Sequence, residues 1–239
     1  SSEESPIEYG AFTEDELYRA IVGELEANSG DLEAAGDSYL DLALATKDLG
    51  VIRRAVQFAS IAGDTNALLQ LGLLWSEVAP QDPQPQLLLA IEFLEAGAFD
   101  RALPRMARVL ELGGAIDFSA LSARTGQLNP QSRALLIDAL EPLIAQFPNN
   151  DSLLLARVQL LAQSGEFDAA LAALDAVREK VTPSTGIVLL ETQILQNMDR
   201  FDDALRVMRT GVKRFDTDPM LRASLARLLI ARQDFEGAV

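Results

Sequence analysis

The chain has 239 residues, 49% of them hydrophobic, and sets 36 acidic side chains against 20 basic ones for a net charge of −16. It contains neither His nor Cys, which removes thiol nucleophiles, His-based triads and the common His/Cys metal sites together. Phosphate neutralisation needs a basic stripe that is absent, so nucleic acid is disfavoured as a partner, and no apolar run reaches the roughly 18 residues of a membrane-spanning helix.

Taken from the start, Ser1-Ser2-Glu3-Glu4-Ser5-Pro6 has too little apolar content to fold and reads as a tether. Glu8-Tyr9-Gly10 follows as a short arm, so residues 1–12 stand apart from a helical body over 13–239. Thr13-Glu14-Asp15-Glu16 is a capping box, with Phe12 and Leu17 placed for a hydrophobic staple, and predicts a helix beginning at Glu14. Gly30-Asp31-Leu32-Glu33-Ala34-Ala35 then reads as a turn into a second helix, and the chain repeats it. Gly63-Asp64-Thr65-Asn66-Ala67-Leu68 keeps the Gly, with a small residue one place early. Gly97-Ala98-Phe99-Asp100-Arg101-Ala102 restores the full pattern. Near residue 136 the turn is rewritten as Asn129-Pro130, a cap followed by proline at the first helical position. Gly165-Glu166-Phe167-Asp168-Ala169-Ala170, Asp199-Arg200-Phe201-Asp202-Asp203-Ala204 and Gln233-Asp234-Phe235-Glu236-Gly237-Ala238 complete the series.

The gaps between Ala35, Ala102, Ala170, Ala204 and Ala238 are 67, 68, 34 and 34 residues. Self-similarity at such a period marks stacked helix–turn–helix units, each burying its apolar stripe against its neighbours. Each Gly is expected to end a first helix at positive φ, and each aromatic to insert between helices. The acid after the aromatic either caps the second helix or sits in its first turn, and the Ala lets two helices approach. Pro80, Pro148 and Pro183 stop second helices. Seven phased units fit. The fourth is irregular, with a short first helix around 117–124 and Pro142 inside its second helix. The seventh is cut off inside its second helix. With no initiator Met and an end two residues into a packed motif, at Ala238-Val239, the chain is expected to be a piece of something longer.

This pattern resembles the tetratricopeptide-repeat (TPR) family, whose unit of about 34 residues carries a Gly, an aromatic, an Ala and a terminal Pro at these relative positions. Phe147-Pro148-Asn149-Asn150 is similar to the family's inter-repeat turn. The likeness covers nearly the whole chain and departs in the first helices, where Leu, Val and Ala mainly replace the family's Trp and Tyr. It implies an all-α, right-handed α-solenoid of about seven units and a non-enzymatic scaffold that binds other proteins or peptides. In the family the first helix of each unit lines a groove. Its groove positions correspond here to Leu87, Ile91 and Leu94; to Leu155, Gln159 and Ala162; to Leu189, Gln193 and Gln196; and to Ala223, Arg227 and Ile230. Apolar residues mixed with amides suit an extended peptide or a helix. The alternative is that several of these side chains pack against neighbouring helices. The chain's three lysines, Lys47, Lys180 and Lys213, all miss the first helices. The family's clamp of Lys, Asn and Arg for an acidic C-terminus is therefore not matched.

Other features have plain explanations. The carboxylate pairs Glu3/Glu4, Glu14/Asp15 and Asp202/Asp203 lie on the tether or at helix starts, where solvation and capping account for them. Gly113-Gly114 reads as a helix stop, and Trp75 falls on an inward position of a second helix. The sequon Asn150-Asp151-Ser152 falls on a helix start. No catalytic, metal or cofactor site is expected. Residues 1–48 hold 13 acidic and 2 basic side chains, which suits either basic partners or a polar end to the array.

A narrower resemblance rests on Glu8-Tyr9-Gly10-Ala11-Phe12, Leu17-Tyr18, Gly23-Glu24, Ala43-Leu44-Ala45-Thr46-Lys47-Asp48 and Ala55-Val56-Gln57-Phe58-Ala59. These segments are similar to the TPR lipoproteins of pseudomonad-type Gram-negative bacteria. That likeness implies the periplasmic face of the outer membrane, a lipid anchor upstream of this chain, and an adaptor role toward a carboxy-terminal-processing serine protease and cell-wall hydrolases. Two other readings stay open: a targeting segment of a larger enzyme, and a self-associating structural module.

Overall fold

The computed structural model describes residues 12–236, and these form an all-α helical repeat of thirteen α-helices and one 3-10 turn, with no strand among them. They divide into two compact units between Ile116 and Asp117. The first holds α1 (Glu14–Ser29), α2 (Leu32–Thr46), α3 (Leu49–Ala62), α4 (Thr65–Val78), α5 (Gln84–Glu95) and α6 (Phe99–Glu111). Each of these packs on the next in sequence. The second holds α7 (Ser119–Arg124), a 3-10 turn (Thr125–Gln127), α8 (Pro130–Gln146), α9 (Asp151–Gln163), α10 (Phe167–Val177), α11 (Thr185–Asn197), α12 (Phe201–Arg214) and α13 (Pro219–Glu236). Here α7 and α8 both pack on α9, and the pairing then runs in sequence to α13. The arm at Glu8-Tyr9-Gly10 lies outside the described residues.

The capping box forms as expected: the Glu16 amide donates to Thr13 Oγ1 at 3.2 Å and the Thr13 amide to Glu16 Oε2 at 2.8 Å. Phe12 and Leu17 both stand exposed. The repeated turns share one backbone device. Gly30, Gly63, Gly97 and Gly165 take φ of 89°, 68°, 70° and 77°. In each, the following amide reaches back to close the helix, as from Asp31 to the Glu26 carbonyl at 3.0 Å and from Ala98 to Phe93 at 2.8 Å. The sixth pair makes the same closure, Arg200 to Leu195 at 2.9 Å, with Asp199 at φ 57° in the glycine's place. Asp tolerates the left-handed region better than most residues. Gly113, at φ 75°, ends α6 in the same way.

Past the turn, Ala35, Ala102, Ala170 and Ala204 are wholly buried. In the second pair the equivalent place belongs to Leu68 and not to Ala67, because the Leu68 amide bonds the Asp64 carbonyl as Ala35 bonds Asp31. Close approach to α5 is made instead one turn on, at Gly72, where a Cβ would come within 2.8 Å of Leu89 Cδ2. The acids after the aromatics (Asp100, Asp168 and Asp202), and Glu33 after Leu32, sit in first turns, where the helix dipole favours them. Capping falls to Asp31 and Asp64. Enlarging Ala170 or Ala204 to Leu should force packed helices apart and cost about 1–3 kcal/mol. Calorimetry should show a lowered melting temperature for both variants, and unchanged curves would mean that the phase is misassigned.

Trp75 is core, its Nε1 donating to Asp82 Oδ2 at 3.1 Å. Asn150 caps α9 by accepting the Leu153 amide at 3.0 Å, so its side chain serves the helix start. The fourth pair is irregular as expected: α7 has only six residues and runs into the 3-10 turn, while Pro142 sits exposed within an unbroken α8. One expectation fails. The seventh turn, placed at Gln233-Asp234-Phe235, does not form, and α13 continues through it to Glu236. Gln233 stands where the other pairs have Gly or Asp, and it has no comparable ease at positive φ to stop the helix.

Candidate functional site

In the second unit the first helices α7, α9 and α11 line a groove of about 870 Å³. Its polar wall is a ladder of amides. Gln159 and Gln163 project one turn apart from α9, and Gln193 and Asn197 repeat them 34 residues on from α11. The two rungs differ in state. Gln159 accepts a hydrogen bond from Ser122 Oγ. Gln163 accepts from Thr125 Oγ1 at 2.7 Å and donates through Nε2 to the Ser122 carbonyl at 2.8 Å, which ties α9 to α7. Gln193 and Asn197 are exposed and make no side-chain hydrogen bond among the described residues. Leu189 and Leu190, half-buried beside them, supply the apolar part of the lining.

Beneath this wall lies a buried charge. Arg133 of α8 is 8% exposed. Its Nη1 donates to the Gln163 carbonyl at 2.9 Å, and its Nη2 to the carbonyls of Leu128 at 3.0 Å and Thr125 at 3.2 Å. Among the described residues no carboxylate pairs with it. Its compensation is the negative end of α9 and the carbonyls closing the 3-10 turn, where helix dipoles favour a cation. The clasp holds the short α7 segment to α9.

The positions expected to line a groove separate into three groups. Gln159, Leu189 and Gln193 line this one, together with Ala162. Leu155 and Gln196 are half-buried beside it, and Leu189 also packs against the α11–α13 core. Arg227 is exposed on α13, with Nη2 bonded to Ser224 Oγ at 3.0 Å. In the first unit, Ile91 is exposed and Leu87 half-buried, but Leu94 is core at 4% exposure and offers no surface. Gln163 and Asn197 were outside the expected set. Their own 34-residue spacing, one turn beyond Gln159 and Gln193, is the signal that finds them.

The first unit contains the strongest electrostatic cluster. Arg54 forks onto Glu24, with Nε to Oε1 and Nη2 to Oε2 both at 2.9 Å, and the Tyr39 hydroxyl donates to Glu24 Oε1 at 2.8 Å. The Arg54 hydrogen bond first, and that of Tyr39 second, hold the Glu24 carboxyl below its ordinary range. Burial and the bond to Glu24 push Tyr39 up to about 12. A depressed carboxyl stabilises the fold above its unfolded pKa and loses that contribution as pH falls through the folded value. Glu24→Gln should therefore lower stability at neutral pH, by no more than about 1 kcal/mol because solvent screens the pair. Melting curves of variant and parent should converge in acid, below the ordinary carboxylate range; a gap of equal size there would mean that packing, not charge, is responsible. Tyr39 acts at the other end, its contribution being lost as pH rises through about 12.

Among the described residues, no helix is long and apolar enough to cross a membrane, and no group of three or more His, Cys, Asp or Glu could hold a metal ion. Paired helices closed by one turn and repeated at 34 residues define a helical-repeat protein. A tetratricopeptide-repeat family model matches residues 137–184. Over 224 residues the chain is 34% identical to TPR repeat-containing protein PA4667 of Pseudomonas aeruginosa, covering 92% of this chain and 37% of that protein. The chain thus spans little more than a third of the length of that curated relative. Among solved structures, it is similar to a chain of the Naa15/Naa10 complex bound to HypK-THB. The TM-score is 0.53 at 17% identity, over 90% of this chain and 28% of that one. A tetratricopeptide repeat protein from Parabacteroides merdae gives 0.44 at 13% identity, over 90% and 84%. The repeat, the family match over residues 137–184 and the relative make this chain similar to tetratricopeptide-repeat proteins, a class that generally mediates protein–protein interaction.

Proposed function

We propose that this chain is a non-catalytic adaptor that holds a segment of a partner protein in the α7–α9–α11 groove. The observation that supports it most is the pair of unengaged amides, Gln193 and Asn197, beside Leu189 and Leu190. Amides there bond a ligand backbone and the leucines accept its side chains, as extended or helical peptides require. The partner in this reading is a carboxy-terminal-processing protease, to which the adaptor brings substrates. The place is the periplasmic face of the outer membrane, reached through a lipid anchor upstream. The short segments shared with pseudomonad lipoproteins support those two steps, and the likeness to a Pseudomonas aeruginosa repeat protein agrees with them.

The test is calorimetric titration with the purified protease of the same organism. The double variant Gln193→Ala/Asn197→Ala removes no hydrogen bond from the fold and should weaken binding about tenfold, the loss of roughly 1.4 kcal/mol. Equal affinity in the double variant would take the groove out of the proposal. A parent chain that does not bind the protease would take out that partner and leave the groove open to another.

A further inference from the structure

A second concavity, of about 490 Å³, lies in the first unit between α5 and α6, lined by Gln86, Phe93, Arg101, Pro104, Arg105 and Arg108. The arginines fall at i, i+4 and i+7 on α6, which brings three guanidinium groups to one face over roughly 10 Å of helix. Each is held from its side of the pocket. Arg101 Cζ stands 4.2 Å from the centroid of the Phe93 ring. Arg105 Nη1 donates to Oε1 of Gln86, a buried amide, at 3.0 Å. Arg108 pairs with Glu111 at 3.0 Å. Among the described residues neither Arg101 nor Arg105 meets a carboxylate and no acid lines the pocket, although acids outnumber bases 36 to 20 in the chain.

We propose that this pocket binds an acidic segment of a partner protein, with Asp or Glu carboxylates received by Arg101 and Arg105 and an adjacent apolar side chain resting on Phe93 and Pro104. Guanidinium groups fixed by a ring and by a buried amide keep their forks oriented for carboxylates. Their spread along α6 fits several carboxylates on one chain better than a single small ion. The site belongs to the first unit and the α7–α9–α11 groove to the second, so it stands whatever that groove holds.

Calorimetric titration of the whole chain with a short blocked peptide of Glu and Leu decides the matter, against its Gln counterpart, inorganic phosphate and phosphatidylglycerol vesicles. The expected result is binding of the Glu peptide alone, weakened by salt and reduced about tenfold or more in Arg101→Gln and Arg105→Gln. Gln193→Ala/Asn197→Ala should leave it unchanged. Arg101 is exposed, so its variant decides the question if Arg105→Gln loses helical circular dichroism. The proposal is overturned by a Glu peptide that does not bind, by equal binding in the arginine variants, or by arginine-dependent binding of phosphate or vesicles without the peptide.

Discussion

Arg133→Met is expected to destabilise the second unit by about 3 kcal/mol, the loss of three charge-assisted hydrogen bonds, two of them to part-buried carbonyls then left unmet. The carbonyls of Leu128 and Gln163 lose their donor at once, while that of Thr125 keeps only the Leu128 amide, at 3.0 Å. Methionine fills much of the volume and keeps the apolar stem, so the loss measures the polar clasp and not a cavity. Partial relief comes from removing a buried charge whose Nε has no hydrogen-bond partner. Arg133→Lys should rescue little, because a single ammonium cannot present the planar fork to carbonyls from three segments. Urea denaturation followed by far-ultraviolet circular dichroism gives the answer. A loss under about 1 kcal/mol would mean that water replaces the guanidinium at those carbonyls.

Gly211→Leu should cost about as much, near 3 kcal/mol, by forcing α11 and α12 apart. A Cβ at Gly211 would sit 2.5 Å from Val188 Cγ1 and 3.1 Å from Cγ2. Val188 is β-branched and short, so it has no flexible end to swing aside. Even Gly211→Ala should destabilise, although alanine is the better helix former by about 1 kcal/mol. Gly186, on the partner helix, is the internal control: its added Cβ would meet only Ser184 Oγ, at 3.7 Å. Gly186→Ala should raise the melting temperature slightly, and a rise in both alanine variants would show that the two helices can separate at Val188 without penalty.

What the chain reveals to a reader follows from how local each determinant is. The turns were legible because a left-handed residue and a small packing residue five places on are steric requirements, met by Gly30 and Ala35 or by Asp199 and Ala204. Leu68 was harder to place, since the close approach to α5 is made at Gly72 one turn away. The groove was half legible. Gln159 and Gln193 follow from phase, but Gln163 and Asn197 lie just past the last position usually assigned inward. Leu94 shows why an apolar first-helix residue is ambiguous: nothing in its type distinguishes a groove from the adjacent core. Arg133 could not be read at all, because its acceptors are backbone carbonyls up to 30 residues away and have no signature in side-chain chemistry.

The brevity of α7 has a kinetic consequence. A helix of six residues cannot hold itself in water, where nucleation alone outweighs the few hydrogen bonds it can make. It exists because α9 already offers Gln159 and Gln163 and because α8 delivers Arg133 to its exit. The helix α7 is therefore expected to form only while α8 and α9 are docked to receive it. Amide exchange in 119–124 should then report the opening of that docked pair and not an independent fraying, so that one wall of the groove assembles only when the other is in place.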